Sequence, residues 1–169
     1  TASSANGLAY MAENVFAAGY YRLPVVMIAV NRTLGPPWNI WVDQGDSLML
    51  RDAPWIQFYV DSHQDMVDTI LLAFRVAEDP RIMLPAMVCM DGFVTSHTQM
   101  VVDLPQLEQV ERFLPLCEIP HRLRGERPTT IGGLTWPRET EWHRREIEEA
   151  MNRVPVVLNE AIDEFEKVF

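Results

Sequence analysis

Apolar and polar segments alternate along the chain in a pattern that predicts strands and helices in turn. Three short apolar runs rich in Val, Ile and Met are typical of strands buried on both faces, as in parallel sheets covered by helices. They lie at residues 23–30, 56–60 and 84–90. Between the last two, a helix is predicted from a Ser62 cap, with Asp65 at the capping-box position, to Asp79-Pro80. This order of elements predicts an α/β fold with a doubly wound, mainly parallel sheet.

The two ends of the chain have other patterns. The first 21 residues begin with small polar side chains and continue with apolar ones three and four apart, which predicts a loop that leads into a helix. After residue 104 the pattern predicts a short helix at 105–114, an irregular Pro- and Gly-containing segment at 115–137 and a long charged helix at 138–169. Pro155 is expected to kink or break that helix, because proline removes a backbone hydrogen bond and clashes with the preceding turn. We therefore divide the chain into an α/β domain at residues 1–104 and a helical arm at residues 105–169.

Composition narrows the classes of possible partner. The chain has 169 residues and a mass of 19.4 kDa, which suits one domain. Its 14 basic and 24 acidic residues give a net charge of −10, which disfavours nucleic acids and anionic membranes as partners. No apolar run approaches the roughly 18 residues that cross a bilayer, so we expect a soluble, cytoplasmic protein. The two cysteines, Cys89 and Cys117, form no CxxC motif, and the sequence predicts neither a disulfide framework nor a metal site built from cysteines.

Polar residues that follow the predicted strands form the candidate site, because ligands of open α/β sheets bind at the carboxyl ends of the strands. Asn31 and Arg32 follow the first apolar run directly. A guanidinium at that position can hold a carboxylate through two parallel hydrogen bonds. A structural salt bridge from Arg32 to Asp43 or Asp46 explains the residue equally well.

Other charged residues near the strand ends allow two interpretations each. Arg51 is a candidate for an active-site loop or for a structural pair with Asp46 or Asp52. Asp43 and Asp46 are of the residue type that binds metals, although aspartates are also common in turns. His97, in the loop after the third run, suits acid–base chemistry or a hydrogen bond that stabilises the loop.

Small polar residues and tryptophans complete the set of candidates. Ser3 and Ser4, ahead of Gly7, either form a ligand-facing turn or cap the first helix. Three tryptophans around one loop suggest a packed or partner-facing surface; they are Trp38, Trp41 and Trp55. The sequence contains no Walker loop, no G-x-G-x-x-G and no G-x-S-x-G motif.

Several segments, taken in order, give the chain a family resemblance. They are TASSANGLA, LPVVMIAVNR, NIWVDQGDS, RDAPWIQ, the helix ending AEDP, LPAMVCMDGFVTSHT, and later TTIGG and IDEFEKVF. Together they resemble the alpha subunit of the pyruvate synthase (2-oxoacid:ferredoxin oxidoreductase) family, within the pyrimidine-binding domain of these thiamine diphosphate enzymes. The resemblance implies that residues 1–104 form a pyrimidine-binding domain incomplete at its N-terminus, and that residues 105–169 lead toward a following domain.

The resemblance also implies a chemistry. Such enzymes use thiamine diphosphate with Mg²⁺ to decarboxylate a 2-oxoacid such as pyruvate oxidatively, pass the electrons to iron–sulfur clusters and ferredoxin, and transfer the acyl group to coenzyme A. Arg32 matches the family arginine that binds the substrate carboxylate, and Arg32 and the adjacent Asn31 are the predicted substrate-binding residues. Ser3, Ser4 and Asn6 match the turn beside the cofactor pyrimidine.

Parts of that chemistry are expected outside this chain. In the family, the glutamate that activates the cofactor lies upstream of the position that matches Thr1. The diphosphate-binding G-D-G motif and the cluster cysteines belong to another domain or subunit. We therefore expect no catalytic residue in this chain, which begins without an initiator Met, and no activity when it is isolated. It is expected to be a fragment or split subunit that works with a diphosphate-binding, iron–sulfur partner.

Two loop motifs depart from the family pattern. The usual D-H-S-D reads Asp43-Gln44-Gly45-Asp46, and the usual R-D-T-G-W has Ala53-Pro54 before its tryptophan. These changes leave the substrate open among pyruvate, a branched oxoacid and oxalate. They also leave open a non-catalytic, flavodoxin-like interaction module that binds a partner through its tryptophan-rich loop.

Overall fold

A four-stranded sheet, parallel throughout, forms the centre of the protein. The computed structural model describes residues 1–120, 123–126, 128 and 130–169. The strands lie in the order β1-β2-β4-β3. Their bounds are β1 (Ala2–Ser3), β2 (Val26–Asn31), β3 (Ile56–Tyr59) and β4 (Ala86–Asp91). Residues Asn31 and Asp91 are register partners, so β2 and β4 end level with each other.

Helices connect these strands and continue beyond them. They are α1 (Asn6–Tyr20), α2 (Gly45–Leu48), α3 (His63–Ala77), α4 (Val94–His97), α5 (Leu107–Phe113) and α6 (Pro137–Val168). The Ser62 cap is confirmed, because its hydroxyl accepts a hydrogen bond from the Asp65 N–H at 3.1 Å. The Asp65 carboxylate accepts from the Asp61 N–H rather than from that of Ser62. The helix therefore begins as the sequence predicts, with the return bond moved by one residue.

Two predicted strands begin later than their apolar runs. The ladder starts at Val26 and Ala86, just after Pro24 and Pro85. Proline has no N–H to donate to a ladder, which explains why the residues before it stay outside the sheet. Strand β1 is absent from the sequence prediction, because a two-residue strand has no readable period. It is held by its pairing with β2, including a 2.9 Å bond from the Ile28 N–H to the Thr1 carbonyl.

The sheet is covered on both faces, which confirms the doubly wound architecture. Alternate strand residues point to opposite faces. One face packs against α1 and residues 50–55 through Met27, Ala29, Met87 and Cys89. The other face packs against α3 and α6 through Val26, Ile56, Ala86 and Val88. Each face has its own buried cluster.

The long C-terminal helix is not broken at Pro155, so the predicted break is wrong, whereas a kink there stays a prediction. Helix α6 is continuous from Pro137 to Val168. Pro155 lies on its exposed side, and apolar residues on the opposite side anchor both halves in the core. These are Ile147, Ala150, Val154, Val157 and Ala161. The sequence-based division at residue 104 stays a prediction.

Ion pairs also join α6 to the rest of the protein. Arg75 on α3 meets Glu164 at 2.9 Å, and Arg81 meets both Glu160 at 2.7 Å and Asp79 at 2.8 Å. The Arg81 guanidinium lowers the pKa of Asp79. In the described ranges no helix is both long and apolar enough to cross a membrane.

Candidate functional site

The carboxyl edge of the sheet brings the ends of β2 and β4 together. The Gly92 N–H, just after β4, donates to the carbonyl of Asn31 at 2.9 Å. A Cβ atom at Gly92 would overlap that carbonyl oxygen and crowd Arg32 Cβ and the Ile40 carbonyl. Only glycine allows the two strand ends to approach this closely.

A buried carboxylate lies at the centre of this edge. Asp46 is 0% exposed and accepts four hydrogen bonds. Its Oδ1 accepts from Asn31 Nδ2 at 2.7 Å and from the Ser47 N–H at 2.8 Å. Its Oδ2 accepts from the Ala5 N–H at 2.8 Å and from the Arg32 N–H at 3.3 Å. Asp46 thereby connects the first turn of the chain, the end of β2 and the start of α2.

The polar network extends from Asp46 toward β3. Asn31 Nδ2 also donates to Ser47 Oγ at 2.9 Å. The hydroxyls of Ser47 and Tyr59 lie 3.1 Å apart, and Tyr59 donates to Gln57 Oε1 at 3.0 Å. Burial raises the pKa of Tyr59, so this hydroxyl stays protonated in the neutral range. The network thus links the end of β2 and the start of α2 to β3.

Arg32 forms no salt bridge to Asp43 or Asp46. Its side chain is half-buried, and Nε donates to Ser4 Oγ at 3.0 Å. Within residues 1–120, 123–126, 128 and 130–169, no carboxylate lies within ion-pair distance of its guanidinium. Asp46 meets only the backbone N–H of Arg32. The terminal nitrogens of the guanidinium are therefore not committed to an internal carboxylate.

The turn before α1 lies against Arg32. Neither Ser3 nor Ser4 caps the helix, because α1 has no side-chain cap bond and the Ser4 hydroxyl binds Arg32 instead. Ala5 has a φ of 41°, a left-handed conformation that is uncommon for a residue with a Cβ. Asn6 is the first residue of α1. The structure thus brings the first-turn candidates and Arg32 to one place.

The remaining charged candidates, Asp43 and Arg51, make local contacts with neighbouring residues. The Asp43 carboxylate accepts from the Gly45 N–H at 2.8 Å, as aspartates in turns commonly do. Arg51 pairs with Asp52 at 3.8 Å, with both side chains exposed. Among the residues that the structure describes, no group of three or more His, Cys, Asp or Glu could hold a metal ion. Asp46 uses both its oxygens on N–H donors rather than on a shared site with Asp43.

His97 belongs to an aromatic stack at the rim of the edge. It ends α4 and is exposed, with Nδ1 at 2.8 Å from Ser96 Oγ. Its ring stacks on Phe93 at 5.2 Å between centroids, and Phe93 stacks on Trp41 at 4.2 Å. The stack joins the loop after β2 to the loop after β4. Phe93 directly follows Gly92, which packs against Arg32, so the stack lies near Arg32.

The three tryptophans do not share one surface. Trp55 is buried and its Nε1 donates to the Val15 carbonyl at 2.6 Å, so it belongs to the core. Trp38 and Trp41 are 58% and 54% exposed. With neighbouring apolar residues they form an exposed loop surface, which consists of Trp38, Ile40, Trp41 and Val42.

Sequence reasoning missed several residues that shape the site. Gly92 is one, although a glycine directly after a predicted strand is a usable signal for close backbone approach. Ser47 and Tyr59 are others, and nothing in their local sequence marks them. Their role depends on contacts between segments that are distant in the chain.

Cys89 lies beside this network, and its thiol stays protonated at neutral pH. Burial raises the pKa of its thiol to about 11, while a hydrogen bond with Ser47 acts the other way. Because folding raises this pKa from 9.0, stability from the protonated thiol is complete below pH 9 and is lost as the pH rises to about 11.

In a Cys117→Ser background we expect iodoacetamide at pH 9 to modify Cys89 far more slowly in the folded protein than in urea, because the thiolate is the nucleophile. Equal rates in the two states would contradict the burial of this thiol.

Comparisons with known proteins match nearly the whole chain to one family. The profile of one family, described as pyruvate flavodoxin/ferredoxin oxidoreductase, thiamine diP-binding, matches residues 1–163. The pyruvate synthase subunit PorA of Methanothermobacter thermautotrophicus is 43% identical over 169 residues, which cover 100% of this chain and 44% of that protein. PorA of Pyrococcus furiosus is 44% identical over 100% of this chain and 43% of its own length. The ketoisovalerate oxidoreductase subunit VorA of Pyrococcus abyssi is 39% identical, again over 100% of this chain and 42% of its own length. The chain therefore spans less than half the length of these relatives.

Proposed function

The chain belongs to the pyruvate flavodoxin/ferredoxin oxidoreductase family, and from that premise we propose that it builds one side of the active site of a 2-oxoacid:ferredoxin oxidoreductase. The proposed reaction is the oxidative decarboxylation of a 2-oxoacid to acyl-CoA and CO₂, with reduction of ferredoxin. The observation that carries the proposal is the placement of Arg32. Its guanidinium lies at the carboxyl end of a buried parallel strand, beside the turn of Ser4, and no carboxylate in the described part of the chain is paired with it.

Arg32 is the proposed binding group for the substrate carboxylate. Its Nε is occupied by Ser4 Oγ, which orients the planar guanidinium and leaves the terminal nitrogens to donate to the substrate. Paired hydrogen bonds from a guanidinium fix both the position and the direction of a carboxylate. Asn31 supports Arg32 from the preceding position, since its side chain is committed to Asp46 and Ser47. Asn31 thus acts by holding the strand end rather than by touching the substrate.

The first turn is proposed to lie beside the pyrimidine end of thiamine diphosphate. Ser3, Ser4 and Asn6 place hydroxyl and amide groups at the edge, next to Arg32, and these groups are suited to the nitrogen atoms of a pyrimidine. When bound, thiamine diphosphate supplies the nucleophilic carbon and the electron sink that decarboxylation requires. The protein groups of this chain orient the substrate beside it. The buried hydrogen bonds of Asp46 hold the carboxyl edge of the sheet in place.

Other components of the reaction are proposed to come from partners. The diphosphate and Mg²⁺ are assigned mainly to a partner domain, because in the family the diphosphate-binding G-D-G motif belongs to another domain or subunit. Iron–sulfur clusters, ferredoxin binding and the handling of coenzyme A are assigned to other subunits. The exposed loop surface beside Arg32 suits a contact with such a partner, because exposed apolar aromatics mark interfaces. A ferredoxin-linked complex of this kind is expected in the cytoplasm.

Pyruvate is the proposed substrate, with branched 2-oxoacids as the alternative. The relatives named as PorA are 42 to 45% identical to this chain, and those named as VorA are 39 to 40% identical. The altered loop from Asp43 to Asp46 lies close to Arg32 in space and is where a difference in substrate would be expressed. Oxalate remains a third substrate to assay.

The experiment is an assay of the assembled complex that contains this chain. We expect reduction of a viologen dye that depends on thiamine diphosphate, coenzyme A and a 2-oxoacid, with kcat/KM higher for pyruvate than for ketoisovalerate or oxalate. A higher kcat/KM for ketoisovalerate would change the proposed substrate from pyruvate to a branched 2-oxoacid, and the proposed type of reaction would stand. An assembled complex that shows no 2-oxoacid-dependent reduction would favour the non-catalytic interaction module.

A further inference from the structure

We propose that Asp46 is a positioning residue for substrate binding: its buried carboxylate locks the Arg32 end of β2 to the first turn of the chain and so fixes where the guanidinium meets the substrate. This inference rests on the proposed role of Arg32. It assigns to Asp46 neither contact with substrate nor a metal. Its action passes through the backbone of Arg32 and the side chain of Asn31.

The contacts of Asp46 join segments that are far apart in the sequence. Its partner Ala5 is 41 residues away, and Asn31 and Arg32 are 15 and 14 residues away. The Ala5 bond holds the first turn, and the Asn31 and Arg32 bonds hold the end of β2. The hydroxyl oxygen of Ser4, in that turn, accepts a hydrogen bond from Arg32 Nε. Asp46 therefore positions both the backbone of Arg32 and the turn whose Ser4 hydroxyl orients the Arg32 guanidinium.

The chemistry of the donors explains why this residue is a carboxylate. Four N–H groups point at its two oxygens, two at each oxygen. A carboxylate accepts on both oxygens, whereas the amide of asparagine has one accepting oxygen and one NH₂ that would face donors. Replacement by asparagine would leave two N–H groups without an acceptor. Unpaired buried donors carry a large penalty, so the local backbone would move.

The charge of Asp46 is balanced by dipoles rather than by a cation. It is 0% exposed, and within the described parts of the chain no Lys, Arg or His lies within ion-pair distance. A salt bridge with Arg32 would have neutralised the guanidinium that the substrate needs. By accepting the Arg32 backbone N–H instead, Asp46 holds this residue without occupying its side chain. Asp46 thus anchors the backbone of Arg32, and the guanidinium of Arg32 is left for the substrate.

The test uses the assembled complex with Asp46→Asn and a matched control, Asp61→Asn. Asp61 is exposed at the end of β3 and loses the same charge at the same edge of the sheet. We expect Asp46→Asn to raise KM for the 2-oxoacid, and Ki for its unreactive analogue oxamate, about tenfold, with a smaller change in kcat. Asp61→Asn is expected to change neither constant. A lower melting temperature with unchanged KM and Ki would show a structural role only and would overturn the proposal.

A double-mutant cycle with Arg32→Ala identifies the route of the effect. If Asp46 acts through Arg32, adding Asp46→Asn to Arg32→Ala produces little further rise in KM. An undiminished tenfold rise in that background would overturn the proposal while leaving the role of Arg32 intact. An Arg32→Ala variant with normal KM would instead overturn the proposed substrate site, whatever Asp46 does.

A second variant covers the case in which Asp46→Asn does not assemble. Asn31→Ala removes one of the four donors and leaves the carboxylate in place. We expect a rise in KM of about threefold, in the same direction and smaller than that of Asp46→Asn. If the assembled Asn31→Ala complex kept the wild-type KM, the positioning role would be refuted.

Discussion

Replacing Arg32 by alanine in the assembled complex is expected to raise KM for the 2-oxoacid about a hundredfold. The variant removes the charged donor proposed to bind the substrate carboxylate, and two charge-assisted hydrogen bonds are worth about 3 kcal/mol in binding. The change in kcat is expected to be smaller, because the reacting carbon is handled by the cofactor. Steady-state kinetics with a viologen acceptor measures both constants.

Two companion variants make the Arg32 result specific. Arg32→Lys keeps the charge but not the planar pair of donors, so it should recover only part of the affinity. Arg145→Ala removes an exposed guanidinium on α6 that pairs with Glu141 at 3.0 Å, and it should leave KM unchanged. Identical KM values for wild type and Arg32→Ala would show that Arg32 does not hold the substrate.

Replacing Gly92 by alanine is expected to lower both stability and substrate affinity. The new Cβ would overlap the Asn31 carbonyl oxygen, which is backbone and cannot rotate away, and would crowd Arg32 Cβ. Overpacking of this kind costs about 3 kcal/mol. Because the strand ends must separate, the guanidinium should also shift, and KM should rise together with the loss of stability. Thermal unfolding and kinetics of the assembled complex measure the two effects.

Gly133→Ala serves as the matched control for Gly92→Ala. A Cβ at Gly133 meets no atom within 4 Å, so this variant should keep the wild-type melting temperature. If Gly92→Ala were as stable and as active as Gly133→Ala, the close approach of the loop after β4 to the end of β2 would be wrong.

Local sequence pattern was sufficient for the main elements of the fold. Apolar runs identify β2, β3 and β4 because strands buried on both faces have no polar positions to interrupt them. The Ser62 cap identifies the start of α3 because a cap is a contact between residues three apart. Strand β1 could not be predicted in this way, since it depends on pairing with Ile28 and Ala29 rather than on its own composition. Pro155 misleads such reasoning, because packing of Val154 and Val157 outweighs the local cost of the proline.

The candidate site was also only partly predictable from the sequence. Topology places Arg32 at the ligand-binding edge, since the residue after a parallel strand lies there in any such sheet. The partner of its side chain was not predictable, because Ser4 is 28 residues away and competes with Asp43 and Asp46 for that role. The sequence marks Asp46 as a candidate for an ion pair, a metal or a turn, but it does not predict that its carboxylate accepts from four donors in three separate segments. Trp55 shows the limit for aromatics, since a core tryptophan and an exposed one look alike in sequence.

The central claim is that this edge of the sheet binds the carboxylate of a 2-oxoacid through Arg32. The most direct measurement is an experimental structure of the assembled complex with a bound 2-oxoacid analogue such as oxamate. We predict that the analogue carboxylate lies within hydrogen-bond distance of the terminal nitrogens of Arg32, with Nε still on Ser4 Oγ. A carboxylate bound elsewhere, with Arg32 paired to a protein side chain instead, would contradict the account.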